Sequence, residues 1–382
     1  MSMSTSLTCQ RDRFELPSNV TYLNCAYMGP LSQAVMNAGR RGLERKAHPW
    51  TIGPSDFFDG VEQLRNLFAE IINADAEGVA VLPAASYGLA IAANNVALDG
   101  GGRILVLEAE FPSNFYAWQE KAAREDGVVE TVKRPHDGDW TSAVLDAIDD
   151  HTNVIALPHC HWTDGSVCDL VTIGKRARDI GAALVLDATQ SIGAMPFDVN
   201  DIRPDFVVTA VYKWLLAPYG AALMWCAPEH RDGEPLEYSW ITRKQADDFP
   251  TLVDYRTEYR EGARRYDVGQ TANFAMVPAI EAALRQTLEW SVEAIAAYTQ
   301  TLTDRIADHA AQLGLGVAPR EQRANHLIGV RLTDADPQAI QMALAEANVH
   351  VSVRGDAIRV APHVYNDEAD VDRLFEVLRT AL

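Results

Sequence analysis

Lys213 lies within Phe206-Val207-Val208-Thr209-Ala210-Val211-Tyr212-Lys213-Trp214-Leu215-Leu216, a run with few other polar groups. Burying an ammonium there is costly, because a low dielectric disfavours its charged form. The same desolvation lowers a lysine's pKa and makes its amine a nucleophile toward carbonyl groups, the chemistry of a Schiff base. The other lysines, Lys46, Lys121, Lys133, Lys175 and Lys244, have the charged or glycine neighbours of a solvated surface. A side chain snorkelling from a strand end is the plainer account of Lys213, so its partners decide between the two.

Asp187 directly follows the apolar run Leu184-Val185-Leu186, and Lys213 follows the next candidate strand. Ligands of open α/β sheets bind beyond the carboxyl ends of strands, so these two side chains can converge. A carboxylate that keeps a pyridine nitrogen protonated, opposite a lysine that reacts with a carbonyl, is what pyridoxal 5′-phosphate needs to act as an electron sink. A helix cap is the alternative for Asp187. Upstream, Val79-Ala80-Val81-Leu82 leads through Pro83-Ala84-Ala85-Ser86-Tyr87-Gly88 into helical sequence. The free amides and dipole of a helix N-terminus suit a phosphate, and Ser86 adds a hydroxyl. An ordinary serine cap explains the same residues.

The elements that must position these groups alternate between β-rich and helical runs, which predicts a mainly parallel sheet built from βαβ units. Candidate strands are 79–82, 104–107, 154–157, 184–186, 206–209 and 221–225, several of them continuously apolar as for strands covered on both faces. Helical patterns fall at 55–72, 89–98, 114–126 and 170–180. Residues 231–249 are polar and read as a loop or lid. Residues 277–309 read as one long helix or two. The remainder reads β-α-β-β-α over 327–332, 337–347, 349–353, 358–360 and 368–382, a small α+β unit.

The 382 residues carry a net charge of −20 with 48% hydrophobic residues, an ordinary globular composition. That charge argues against nucleic acid or an anionic membrane as partner. Cys9, Cys25, Cys160, Cys168 and Cys226 form no CxxC pair, which fits a reducing compartment. With no apolar leader and no run of transmembrane length, a cytoplasmic protein is expected. His159, Cys160, His161 and Cys168 cluster, but match no zinc spacing, so no metal is expected; a histidine near a cofactor is the better expectation.

Taken together, these motifs resemble the class V aminotransferase-type enzymes of pyridoxal-phosphate fold type I, the group with cysteine desulfurases, kynureninases and isopenicillin N epimerase-like proteins. The resemblance rests on Asp187-Ala188-Thr189-Gln190 followed by Tyr212-Lys213. The opening Thr21-Tyr22-Leu23-Asn24-Cys25-Ala26 and the tail Ile358-Arg359-Val360-Ala361-Pro362-His363-Val364-Tyr365-Asn366 extend it along the chain. It implies an N-terminal segment 1–25 packing with the small domain, a large cofactor-binding domain 26–260 and a small C-terminal domain 261–382. It implies Lys213 as the lysine that carries the cofactor and shuttles the α-proton, with Asp187 on the pyridine nitrogen. Gln190 and Thr163 or Asp164 would lie near the phenolic oxygen. Ala85, Ser86 and Tyr212 would hold the phosphate, and Phe111 would stack on the ring where many relatives carry histidine. Arg359 would clamp the substrate's α-carboxylate beside Asn24. Thr271, in Gln270-Thr271, would reach the phosphate of a neighbouring subunit in a homodimer with shared active sites.

The resemblance implies a small-molecule amino acid substrate, with aminotransfer leading and C–S or kynureninase-type lyase chemistry or epimerisation as alternatives. No cysteine follows Cys226, so a desulfurase with a C-terminal loop cysteine is not expected. Cys25 reads as a packing residue. A non-catalytic regulator on the same fold is the remaining possibility, although no basic helical module accompanies it.

Overall fold

Continuously apolar strands need cover on both faces, and the central sheet has it. The computed structural model describes residues 7–332 and 335–382; residues 1–6 of the expected N-terminal segment lie outside them. In chain order the strands are β1 (Thr21–Tyr22), β2 (Val79–Leu82), β3 (Arg103–Leu107), β4 (Val128–Val132), β5 (Thr152–Pro158), β6 (Ala183–Asp187), β7 (Phe206–Ala210), β8 (Ala222–Cys226), β9 (Ile328–Arg331), β10 (Val349–His350), β11 (Ser352–Arg354) and β12 (Ala357–Val360). The helices are α1 (Gln33–Lys46), α2 (Asp59–Ile71), α3 (Ala85–Asn95), α4 (Pro112–Arg124), α5 (Trp140–Ala147), α6 (Leu170–Ile180), α7 (Val199–Ile202), α8 (Met276–Trp290), α9 (Val292–Gln312), α10 (Pro337–Glu346) and α11 (Glu368–Ala381).

Seven strands form one sheet in the order β2-β8-β7-β6-β5-β3-β4. Only β8 is antiparallel to its neighbours, so the other six point their carboxyl ends to one edge. Side chains alternate as strand geometry requires: Val79 and Val81 enter one core, Ala80 and Leu82 the other. The helices between strands end on recognisable chemistry. In α6 the Asp169 carboxylate accepts from the amides of Val171 and Thr172, and Gly181 closes the helix at φ 75°.

A second, three-stranded antiparallel sheet runs β11-β12-β9, and β1 pairs in parallel with β10. Its core takes Leu23 together with residues of α9, α10 and α11. The expected run 277–309 is two helices, α8 and α9, broken at Ser291 (φ 60°), whose side chain accepts from the Ala294 amide. Val277, Ile280 and Leu284 of α8 pack into the large sheet's core, whereas Leu302 and Ile306 of α9 enter the small one. Val292, at the start of α9, still packs into the large sheet's core, so the change of core falls within α9. No helix among the described residues is long and apolar enough to cross a membrane.

Candidate active site

The common edge of the parallel strands holds a cavity of about 220 Å³. It gathers Ala85 and Ser86 at the start of α3, Phe111 at the start of α4, Asp187 at the end of β6 with Gln190 beyond it, and Tyr212 and Lys213 after β7. Lys213 is only 6% exposed. Burial pushes its pKa down to about 8, against the opposing pull of the Asp187 carboxylate. Its Nζ lies 5.3 Å from the Phe111 ring centroid and 5.7 Å from that of Tyr212. Asp187 Oδ1 accepts from the Thr189 amide at 3.0 Å, and Thr189 Oγ1 accepts from the Ala210 amide at 3.1 Å. That pair of bonds ties the end of β6 to the end of β7 and sets the two charged side chains together.

Gln190 is pinned at both ends of its amide. Nε2 donates to the Ala26 carbonyl at 3.1 Å, and Oε1 accepts from Trp214 Nε1 at 2.8 Å. One Nε2 hydrogen is left over for the cavity. The N-cap of α3 is Ala84, which has no side chain to cap the helix amides. Those amides, with the exposed Ser86 hydroxyl, form an open anion-binding end. Tyr212 packs against Tyr219 with centroids 4.6 Å apart. Phe111 meets Trp162 edge-on, at 5.5 Å and 84°.

Other expected site residues stand outside the cavity wall. Asp164 is spent on an ion pair with Arg134 at 2.7 Å and accepts from the Ser166 amide and hydroxyl. Although burial acts to raise it, Arg134, His161 and Ser166 hold its pKa below the ordinary value. Thr163 Oγ1 bonds to His161 Nδ1 at 2.7 Å. From this loop Trp162 reaches the cavity, whereas Thr163 and Asp164 do not line it. The expected histidine is also absent from the wall: His161 stacks on Trp140 at 5.6 Å, and His159 packs on Phe197. No group of metal-ligating side chains occurs among the described residues.

Arg359 sits behind Trp162. It is 1% exposed, and its Nη1 donates to the Trp162 carbonyl at 2.8 Å. Its Nε and Nη2 are buried without a partner among the described residues. Burial pushes its pKa down to about 9, which leaves it cationic at neutral pH. Asn24 Oδ1 accepts from Ser352 Oγ at 2.8 Å, beside the strand that carries Arg359. Thr271 is buried but does not line the cavity of its own chain.

Glu110 is a wall residue that sequence reasoning missed. Its Oε1 accepts from the Phe111 amide at 2.6 Å, while Oε2 is buried without a partner among the described residues. Burial, reinforced by the nearby Asp187 charge, pushes its pKa up to about 8. An acid at the start of a helix is so common that nothing in the sequence marked it.

A planar, phosphorylated aromatic aldehyde fits these residues. The cavity offers an amine with a lowered pKa, a facing carboxylate, aromatic walls and an uncapped helix end for a dianion. Fold and site together define a pyridoxal-phosphate enzyme of fold type I. The chain belongs to the aminotransferase class-V family, whose model matches residues 54–374, and its cofactor is pyridoxal 5′-phosphate. It is 28% identical over 315 residues to an uncharacterized aminotransferase (YcbU) of Bacillus subtilis, covering 81% of this chain and 80% of that protein. It is 24% identical over 340 residues to a probable cysteine desulfurase of Methanothermobacter thermautotrophicus, covering 83% and 82%. The structure of a cysteine desulfurase from Thermococcus onnurineus superposes with a TM-score of 0.87 at 20% identity, covering 98% of each chain. With a desulfurase among the relatives, the family gives no support to setting desulfuration aside.

Proposed function

We propose that this chain catalyses a pyridoxal-phosphate-dependent reaction of an α-amino acid, with aminotransfer to an α-keto acid as the leading reaction. The observation that carries this reading is the meeting of Lys213 and Asp187 in one cavity, with the uncapped start of α3 on its wall and the partly unsatisfied Arg359 held to Trp162 of that wall.

In this reading Lys213 would hold the cofactor through its amine and Asp187 would supply the carboxylate for its ring nitrogen. The amides of Ala85 and Ser86, the Ser86 hydroxyl and Tyr212 hold the phosphate, and Phe111 covers the ring. The bound cofactor supplies an electron sink that lets a bond to the amino acid's Cα ionise. Lys213 Nζ takes the Cα proton and delivers it onward. A pKa of about 8 suits a group that must both accept and donate near neutral pH. Arg359 turns its free Nε and Nη2 toward the α-carboxylate, a bidentate task that a lysine performs less well. Thr271, buried away from its own cavity, serves the phosphate of a second copy in a homodimer.

Lyase and epimerase reactions share the same ionised Cα and form the second reading, to which desulfuration belongs. Cys160 lines the cavity and supplies a thiol there. Burial raises its pKa, which works against a thiolate and ranks this reading second.

The test is a panel of amino acids with and without an α-keto acid. Turnover only with the acceptor is expected; pyruvate or ammonia release without it transfers the assignment to a lyase, and bare loss of α-chirality to an epimerase. Lys213→Ala is expected to lose the visible absorption that responds to amino acids and to cut turnover about 10²–10⁴-fold. A colourless protein that cannot be reconstituted with pyridoxal 5′-phosphate sinks the reading.

A further inference from the structure

The hairpin β11–β12 sets two arginines on one face with no acid between them. Directly opposed residues of an antiparallel pair share a face; here Ser352 opposes Arg359 and Arg354 opposes Ala357. Arg354 and Arg359 are therefore diagonal neighbours on the same side, a separation of roughly 7–8 Å that long side chains readily span. Both reach Trp162. Arg359 donates to its carbonyl at 2.8 Å, and the Arg354 guanidinium lies 5.3 Å from its ring centroid. The same Trp162 lines the cavity of Lys213.

Among the described residues neither guanidinium is satisfied. Arg354 Nη1 donates only to the adjacent Val353 carbonyl, at 2.6 Å, and its Nε is buried without a partner. Arg359 has two such nitrogens. Burial lowers both pKa values, each charge lowers that of Lys213, and Arg354 also lowers that of Arg359. A chain with 53 Asp and Glu against 33 Lys and Arg had acids in excess to place here. Two like charges on one face, both partly desolvated, are unfavourable until anions arrive. The Trp162 ring holds the Arg354 fork in a fixed plane, which suits a carboxylate.

We propose that the substrate is a dicarboxylic α-amino acid, with Arg359 taking the α-carboxylate and Arg354 the side-chain carboxylate. The Arg359 half rests on the reading under Proposed function; the Arg354 half goes beyond it and makes Arg354 the residue that selects the substrate.

The test is calorimetric titration of the holoenzyme with three unreactive probes, succinate, glutarate and butyrate. One dicarboxylate is expected to bind at least about tenfold more tightly than butyrate, the value of one charge-assisted contact. Arg354→Gln is expected to abolish that preference and leave butyrate unchanged, and Arg354→Lys to restore part of it. Thermal unfolding checks that each variant is folded. Equal binding of all three probes by the wild type overturns the inference, as does an Arg354→Gln variant that weakens them all alike. If the Lys213-dependent visible band is present without the preference, this inference alone fails. If the preference is present in a protein that takes no cofactor, the two-anion site stands and the enzymatic reading fails.

Discussion

Arg65 on α2 and Arg359 on β12 are both among the largest fully buried side chains, and they are treated in opposite ways. Arg65 donates to the Val79 carbonyl and to Asp267, and Glu62 stands 3.3 Å from its Nε. Asp267 in turn accepts from the Val81 amide at 2.9 Å, so this cluster is closed on itself. Arg359 spends one nitrogen on Trp162 and leaves two unmet. A buried charge neutralised within the chain locks β2 and α2 together. A buried charge left unmet behind a cavity wall stays open to an anion, and folding bears its desolvation cost.

Breaking the closed cluster gives the largest effect. Asp267→Ala strands Arg65 and is expected to cost about 3–5 kcal/mol in a denaturant titration, with ligand affinity nearly unchanged. Breaking the open one inverts that pattern. Arg359→Gln is expected to weaken carboxylate ligands about 10–150-fold, with stability equal to or above wild type, because a desolvated charge has gone. A stability loss like that of Asp267→Ala would show the two regions to be of one kind.

Glu110 sharpens the contrast through pH. Its folded pKa of about 8 exceeds the ordinary 4.5, so between these values the folded state keeps a proton that the unfolded chain releases. Its contribution to stability is therefore complete below about pH 4.5 and lost as pH rises through about 8. Unfolding at about pH 5 and about pH 9 is expected to show a drop of roughly 1–4 kcal/mol that Glu110→Gln lacks. If both proteins lose stability equally, Glu110 is not the group responsible. The smallest effect belongs to the surface. The exposed Arg13–Glu289 pair spans 2.9 Å, and Arg13→Ala is expected to change stability by under about 1 kcal/mol and less still in high salt.

Much of this was legible in the sequence where polarity interrupts an apolar pattern. Asp187 and Lys213 announce themselves because each stands at the end of a largely apolar run, and strand polarity then brings both to one edge. The β4 strand went unread because it is an edge strand, with Val128 exposed and Glu130 and Thr131 half-buried, and so lacks the apolar run of its neighbours. The break at Ser291 is hidden because apolar spacing continues from α8 into α9. That Trp162 rather than Thr163 or Asp164 lines the cavity was not legible, because position along a loop does not reveal which residue turns inward, and Arg134, distant in sequence, captures Asp164. Nothing in the sequence singles out Arg354, and only the register of β11 against β12 puts it on the face of Arg359.

That register hangs on a very short turn. Gly355 takes φ 60°, a value glycine adopts freely, and with Asp356 it joins Arg354 to Ala357. Strand side chains alternate with a period of two, while β12 is held in place by β9. One residue gained or lost at Gly355–Asp356 would turn Arg354 to the opposite face and leave Arg359 and Lys213 where they are. In evolutionary terms the turn is a point of divergence, where a single codon inserted or deleted changes which amino acids a descendant of this chain accepts without altering the groups that act on them.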